Sequence, residues 1–425
     1  MNNSSKLLRF AGDVSIDQVR IITSKGFYQD VAAQVITIQY YEDIFSPFIT
    51  GSLILKDSLD LVNLFPFVGE EYLELEINTP SLRDKNIKGK YYIYKMTNRE
   101  MVGDRSAVYQ LHFISTEAIA DLNKKISRAF GEKIPRISDL IEPFIKDKTF
   151  GLESVKEVFA EKTLNKTKYI SNYWSPVQNI MYLARQSISF LRQTPDYVFF
   201  ENRDGFYFVS LQTLYTNKVY RSFEYDKYTR DDVPGGGSTR NIDEDYRRIL
   251  DISIPTAFDY MDRIRSGMYA SRQISYDITK KKYSAENYSY NFEKYKHLNR
   301  YPINSNSVIF KSNSKIINFP KNFATFDGFG DVTNSKINQE NISLLKMAEA
   351  NKISITVPGR CDYTAGQKIK IDLNKIQPVT SKDDDFTDKM FSGHYIIAAI
   401  NHHVDREKHE CHMELIKESS MKNMG

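Results

Sequence analysis

The chain has 425 residues, 41% of them hydrophobic and 26% charged, with a formal net charge of +4. That length carries roughly two or three domains with ample buried core, and so small a net charge argues against a general nucleic-acid binder, which carries a strong basic stripe. Its two cysteines, Cys361 and Cys411, exclude a disulfide scaffold and are expected as reduced thiols. The opening MNNSSKLLRFAGDV lacks the apolar stretch of a signal peptide. No window approaches the roughly 18 apolar residues of a membrane helix, so no stable membrane insertion is expected and the chain is read as one assembled in a cytoplasm. With 28 Tyr and 26 Phe against one Trp, it is rich in rings that suit both strands and wet interfaces.

Residues 16–115 read as strands. Val31, Ala33, Val35, Ile36 and Ile38 form an apolar run that Gly51 to Leu55 continues, and Phe65-Pro-Phe-Val-Gly69 is a turn. Leu73, Leu75 and Ile77 alternate with Glu74 and Glu76, the period-two pattern of a half-buried strand. Tyr91 to Met96 and Ala107 to Ile114 make a long hairpin with a polar tip at Gly103-Asp104. The period then changes. Ile119, Leu122, Ile126 and Phe130, and next Ile137, Leu140, Ile141 and Phe144, are spaced as amphipathic helices. A third helix starts at Ser175 as N-cap, Pro176 at N1 and Gln178 at N3 for a capping box. Trp174 stands before it as a hydrophobic-staple residue.

Tyr197-Val-Phe-Phe200 and Phe206-Tyr-Phe-Val209 predict a hairpin turning at Arg203-Asp204-Gly205. Pro234 to Ser238 reads as a flexible loop, 258–266 as a short helix and Arg272 to Ile278 as a strand. Residues 280–345, rich in Lys, Tyr, Asn and Ser with weak periodicity, read as an extended arm or a large loop insertion. Strands return with Ile353, Ile355 and Val357, then Ile369, Ile371 and Leu373. Tyr395 to Ile400 and Cys411 to Ile416 form a second long hairpin, tipped by Asp405, Arg406, Glu407 and Lys408. The two strand regions therefore share a layout: Phe67-Val-Gly69 or Tyr363-Thr-Ala-Gly366, an alternating strand, then a long hairpin. A duplicated unit within one chain lets three chains present six similar units.

Chemistry-bearing motifs are scarce: the sequence has no phosphate loop, GxSxG, HExxH or CxxC. His394, His402, His403, His409, Cys411 and His412 cluster near the C-terminus. His409 and Cys411 share a strand face and His402 lies across the hairpin, which is compatible with a soft-metal site. The spacing fits no standard zinc pattern, however, and the favoured reading is surface or interface histidines, with no metal and no cofactor. Asp243-Glu244-Asp245 and Asp383-Asp384-Asp385 read as solvated charge runs, with a weak cation site as the alternative, and Lys280-Lys281-Lys282 as ordinary surface, with the lining of a DNA channel as the alternative.

The order and spacing of several stretches resemble the baseplate hub subunit of contractile-tailed, T4-type bacteriophages. These are Val31-Ala-Ala-Gln-Val-Ile-Thr-Ile38 with Gly51-Ser-Leu-Ile-Leu-Lys-Asp57, Tyr173-Trp-Ser-Pro176, Asp196-Tyr-Val-Phe-Phe200, Thr364-Ala-Gly-Gln-Lys-Ile369 and Phe391-Ser-Gly-His-Tyr-Ile-Ile397. The resemblance spans about residues 15–417 and implies a mixed α+β fold, with two tail-tube-like antiparallel β-barrel units joined by a partly helical region. It divides the chain into an N-terminal barrel unit (1–115), a connecting domain of helices and a hairpin (116–215), an insertion (216–345) and C-terminal strands completing the second barrel (346–425). It implies a structural, non-enzymatic virion protein: a homotrimeric ring between a sixfold tail tube or tube-initiator hexamer and a trimeric central spike protein, with baseplate wedge proteins as further contacts and DNA passing through without sequence-specific binding. On that reading Glu74, Glu76, Lys368 and Lys370 are candidate channel-facing residues, and Asp405 to Lys408 a candidate ring-stacking tip. The alternatives are a tail-associated cell-wall or polysaccharide hydrolase and a carbohydrate-binding module.

Overall fold

The computed structural model describes residues 8–64, 67–82, 85–103, 105–131, 135–225, 241–256, 259–277, 280–290, 315–321, 334–349, 352–375, 387–388 and 390–417. The loop at 234–238, the acids at 383–385, Phe65 and Pro66 of the first turn, and Asp104 of the hairpin tip lie outside them.

The chain opens with β1 (Ser15–Ile22), β2 (Tyr28–Asp30), a single 3-10 turn (Ala32–Gln34), β3 (Val35–Asp43), β4 (Thr50–Asp57) and α1 (Leu61–Leu64). β5 (Tyr72–Asn78), β6 (Ile87–Met101) and β7 (Ala107–Ser115) follow as an antiparallel meander. The middle contains α2 (Thr116–Asn123), β8 (Ile126–Phe130), α3 (Ser138–Lys146), β9 (Val158–Ala160), β10 (Tyr169–Trp174), α4 (Pro176–Ala184), β11 (Tyr197–Asn202), β12 (Gly205–Ser210) and α5 (Leu211–Thr216). Next come β13 (Val219–Tyr225), α6 (Ile242–Asp245), β14 (Asp251–Thr256), α7 (Tyr260–Ser266), β15 (Ala270–Asp277), β16 (Lys282–Ser289), β17 (Ile316–Lys321) and α8 (Asn334–Glu349). The chain closes with β18 (Lys352–Pro358), β19 (Lys368–Leu373), β20 (Gly393–Asp405) and β21 (His409–Lys417).

Thirteen strands form one sheet, in the order β14-β18-β21-β20-β3-β4-β7-β6-β5-β1-β2, with β19 on β20 and β13 on β19. One six-strand order occurs twice in it: β3-β4-β7-β6-β5-β1 and β14-β18-β21-β20-β19-β13. The repeat is not perfect, since β1 pairs β5 antiparallel whereas β13 pairs β19 parallel. Gly69 and Gly366 enter β5 and β19 at φ of +89° and +88°, a conformation that favours glycine. β20 joins the halves. One of its edges pairs β21, while the other pairs β19 at Gly393 to Ile396 and, beyond a bulge between Ile397 and Ala399, pairs β3. The bulge lets one strand change partner partway along its length. Two closed barrels were expected; among the described residues the ladders between named strands leave the sheet open at β2, β13 and β14.

Three apolar cores support this arrangement. One lies under β1 to β7 and takes in Cys361 and Val404 from the far half, one lies under the C-terminal strands, and one lies among α3, α4 and the β11–β12 hairpin. That hairpin forms with Asn202 opposite Gly205, so the turn is Arg203-Asp204 and Gly205 already belongs to β12, and it is wedged between two cores. Val198, Phe200 and Val209 face the C-terminal core while Tyr197, Phe199, Phe206 and Phe208 face the helical one, so both its faces are apolar.

The capping box at α4 forms: Ser175 Oγ accepts from Gln178 N at 3.3 Å, and Ser175 N donates to Gln178 Oε1 at 3.0 Å. Trp174 packs on Tyr182 at 4.9 Å between ring centroids, not on Asn179, where the staple would place it. The helix expected from Ile119 to Phe130 stops at Asn123. Leu122 is 71% exposed, whereas Ile126 is buried and Phe130 stacks on Tyr169 within β8, which pairs with β10. Helical spacing there was a coincidence that tertiary pairing overrode. The described parts of 280–345 are also structured: β15 is flanked by β16 and by parallel β17, and α8 lies against β15 and β16. In α8, buried Gln339 donates to the Ser271 carbonyl of β15, Ser343 to the Met268 carbonyl and Asn341 to the Pro195 carbonyl, so a polar packing face obscures the helical period of this helix.

Candidate assembly surfaces and a buried histidine–cysteine cluster

The outward face of β1, β5 and β6 is a charge-matched grid. Glu74 has Arg20 and Lys90 as its strand neighbours, and it accepts from Gln18 Nε2 at 3.0 Å. Glu76 accepts from Asn86 Nδ2 at 2.8 Å and pairs with Lys88 at 3.0 Å. Both glutamates are half-buried while Leu73, Leu75 and Ile77 beneath them are buried. β19 departs from the symmetrical expectation. Lys370 stays at the surface, paired with Asp372 at 2.7 Å, but Lys368 is buried and its Nζ donates to the Tyr215 carbonyl of α5 at 2.6 Å. Within a single chain Lys368 is therefore directed toward α5, not toward solvent.

The β20–β21 tip is held to its own sheet. Thr37 donates to Asp405 at 2.7 Å, and Arg406 donates to the carbonyls of Val35 and Ala33. Lys408 pairs with Glu410 at 2.9 Å, and Glu407 is exposed. The corresponding β6–β7 arm is more open. From Tyr94 to Met101 almost every β6 residue is exposed, and Tyr94, Met96, Met101 and Val102 leave apolar surface in water. Tyr94 is the extra residue of a bulge between Ile93 and Lys95, with its ring centroid 6.2 Å from that of His112, whereas Met96 stands opposite Leu111; the sequence predicts this arm only as a hairpin. Lys280 to Lys282 are exposed at the β15–β16 turn, and Asp243 of the acidic run is held by Arg221 at 2.6 Å and Arg247 at 2.9 Å.

His402, His409 and Cys411 depart from the surface reading. The hairpin register sets His402 opposite Cys411 and Val404 opposite His409, so all three side chains enter the core, and all are buried. His402 Nδ1 lies 3.0 Å from His409 Nε2 and 3.4 Å from Cys411 Sγ, and Sγ lies 3.6 Å from His409 Nε2. His402 Nε2 is 3.1 Å from the Tyr363 carbonyl. A carbonyl only accepts, so Nε2 carries the hydrogen and the Nδ1 lone pair points at the cluster. His409 Nδ1 has no hydrogen-bond partner among the described residues. Burial pushes His402 down to about 3, lowers His409 well below the usual histidine range and raises the Cys411 thiol. Gly359 seats the His409 ring: a Cβ there would lie 2.2 Å from His409 Cγ.

Two buried carboxylate clusters, which no sequence motif marked, tie the middle of the chain to both halves of the sheet. Lys156 bridges Glu117 at 2.7 Å and Glu201 at 2.5 Å, and Glu201 also accepts from Ile49 N at 3.1 Å. Glu42 accepts from the amides of Arg203 and Ala365, both at 2.8 Å. A cleft of about 500 Å³ opens beside Glu42, lined by polar residues that include Asp251, Asn401 and Glu414.

No protein-family model and no curated protein matches the sequence. In structure the chain is similar to the tail protein from Neisseria meningitidis MC58, with a TM-score of 0.54 and 10% identity over 94% of this chain and 96% of that one. It is also similar to the 43 kDa tail protein of prophage MuSo2 from Shewanella oneidensis, with a TM-score of 0.51 and 8% identity over 94% and 98% of the two chains. An E. coli component of the type VI secretion system aligns at a TM-score of 0.43, with 7% identity over 96% and 78%. The first two show a shared fold over nearly the whole of both chains: mostly antiparallel sheet with some helices.

Proposed function

We propose that this protein is a structural subunit at the hub of a phage-type tail baseplate. Three copies form a ring that adapts a sixfold tail tube or tube initiator to a trimeric central spike and encloses the DNA channel. The observation that carries this reading is the repeated six-strand order joined through β20. A chain with two like halves offers two like faces, so a threefold ring of such chains offers six. The fold shared with the Neisseria meningitidis tail protein and the prophage MuSo2 tail protein supports the tail setting. The β6–β7 arm, with Tyr94, Met96 and Met101 exposed among charged residues, and the charge-matched grid around Glu74 and Glu76 are surfaces suited to neighbours in the ring and to a wet lumen, respectively. The role is geometric and uses no covalent chemistry.

The test is the native mass by light scattering over a range of concentrations, alone and with a candidate trimeric spike protein. Alone, a species near three times 49.4 kDa is expected, or, where the ring needs the spike, that mass plus the mass of the spike trimer. A monomer in every condition overturns the ring.

A further inference from the structure

We propose that His402, His409 and Cys411 form a structural metal site for a soft or borderline-soft ion, zinc foremost, buried at the point where the sheet passes from one half to the other. This inference is independent of the hub reading.

Geometry carries it. Zinc bonds to imidazole nitrogen at about 2.0–2.1 Å and to thiolate sulfur at about 2.3 Å, in tetrahedral angles. Those values set two nitrogens roughly 3.3 Å apart and a nitrogen and sulfur roughly 3.6 Å apart. The observed separations are 3.0 Å between the nitrogens and 3.4 and 3.6 Å from nitrogen to sulfur, and all the ligand atoms lie within 4.8 Å of one another. The donor set, two imidazoles and one thiol, suits zinc or copper(I) better than a hard cation. Three protein ligands leave a fourth position on a tetrahedral ion.

The surroundings fit as well. His402 gives its Nε2 hydrogen to the Tyr363 carbonyl, the outer contact that fixes a ligating histidine in the tautomer presenting its other nitrogen to the metal. Without an ion, the cluster is two imidazoles and a thiol in an apolar core, held by one His402–His409 contact and two weak contacts to sulfur, and aliphatic side chains would fill that space at lower cost. Binding replaces the Cys411 S–H bond with a metal–sulfur bond and releases the proton to solvent. The ion then links β20 to β21, and through His402 to the loop preceding β19.

The full-length protein, produced with zinc supplementation, is read by elemental mass spectrometry, and close to one zinc per chain is expected. Refolding with cobalt(II) is expected to give the visible bands of tetrahedral cobalt and a thiolate-to-cobalt charge-transfer band. Both signals should vanish in Cys411→Ala and His409→Gln and persist in Cys361→Ala, whose thiol lies near Thr79 outside the cluster. In the wild-type protein, a strong chelator should lower the thermal midpoint and zinc should restore it, an arm that does not depend on any variant folding. Wild-type protein that takes up neither zinc nor cobalt, or Cys411→Ala protein that keeps the thiolate band, overturns the site.

Discussion

The amide of Arg203, at the turn of the β11–β12 hairpin, donates to the Glu42 carboxylate of β3 at 2.8 Å, and the amide of Ala365 reaches the other oxygen at 2.8 Å. One buried carboxylate thus pins the middle of the chain and the loop before β19 to the N-terminal half. Burial pushes Glu42 up to about 8, although both amides and the Arg203 charge pull it down. Between the ordinary value of about 4.3 and about 8, the folded chain holds more protons than the unfolded one. Stability from this group is therefore full below the lower value and falls as pH rises through the upper one. Glu42→Gln cannot titrate. Its denaturation midpoint should lie below wild type at pH 5, because its NH2 faces an amide, and should approach wild type by pH 9. A constant gap across that range would rule out titration of Glu42 as the cause.

Lys156 sits between Glu117 and Glu201, with their carboxylates 6% and 0% exposed. Removing one partner of a buried ionic group leaves the others uncompensated, typically at a cost of about 3–5 kcal/mol. Lys156→Met should lose stability of that order in urea, and adding Glu201→Gln should restore part of it. If Lys156→Met unfolds at the wild-type midpoint, the network is solvated and contributes little.

The start of α4 is capped twice. Ser175 completes its capping box, and Asp121 of α2 accepts from Ser175 Oγ at 2.8 Å and from Val177 N at 2.7 Å. Ser175→Ala should cost about 1 kcal/mol and Asp121→Ala a similar amount. Because the two caps share a hydrogen bond, the double variant should cost less than the sum. Additive losses in equilibrium unfolding would mean that the caps act separately.

What the sequence made legible was local. The Ser175 box, the Arg203 turn and the alternation of β5 each depend on residues within a few positions of one another, so composition and period reveal them. The same was true of His402 lying across the hairpin from His409 and Cys411. That their side chains are buried was not legible, because it depends on Tyr363 and Gly359 closing over them from another part of the chain. The β3–β20 ladder, which pairs Thr37 with Asp405, carries no local signal at all. The contact of Lys368 with α5 was not legible for a related reason: strand alternation gives the side of the strand, but α5, which takes up its ammonium, is positioned by tertiary packing. At Ile126 the spacing itself misled, since its helical period was outweighed by pairing with β10.

The β6–β7 arm offers the most direct test of assembly. Tyr94, Met96 and Met101 are 49%, 36% and 69% exposed, so within one chain they add little to the core. Surface substitutions of this kind usually change stability by less than about 0.5 kcal/mol. Met96→Lys with Met101→Lys should therefore leave the unfolding midpoint near wild type. In a ring, the same lysines would bring unpaired charge into a contact that excludes water, which weakens association strongly. The expected result is a folded protein whose native mass falls from the trimer toward the monomer, with Tyr94→Ala giving a smaller shift. A variant that unfolds early would show that the arm packs against its own chain. A stable variant that still forms trimers would place the ring contact elsewhere, with the open edges at β2, β13 and β14 as the next surfaces to test.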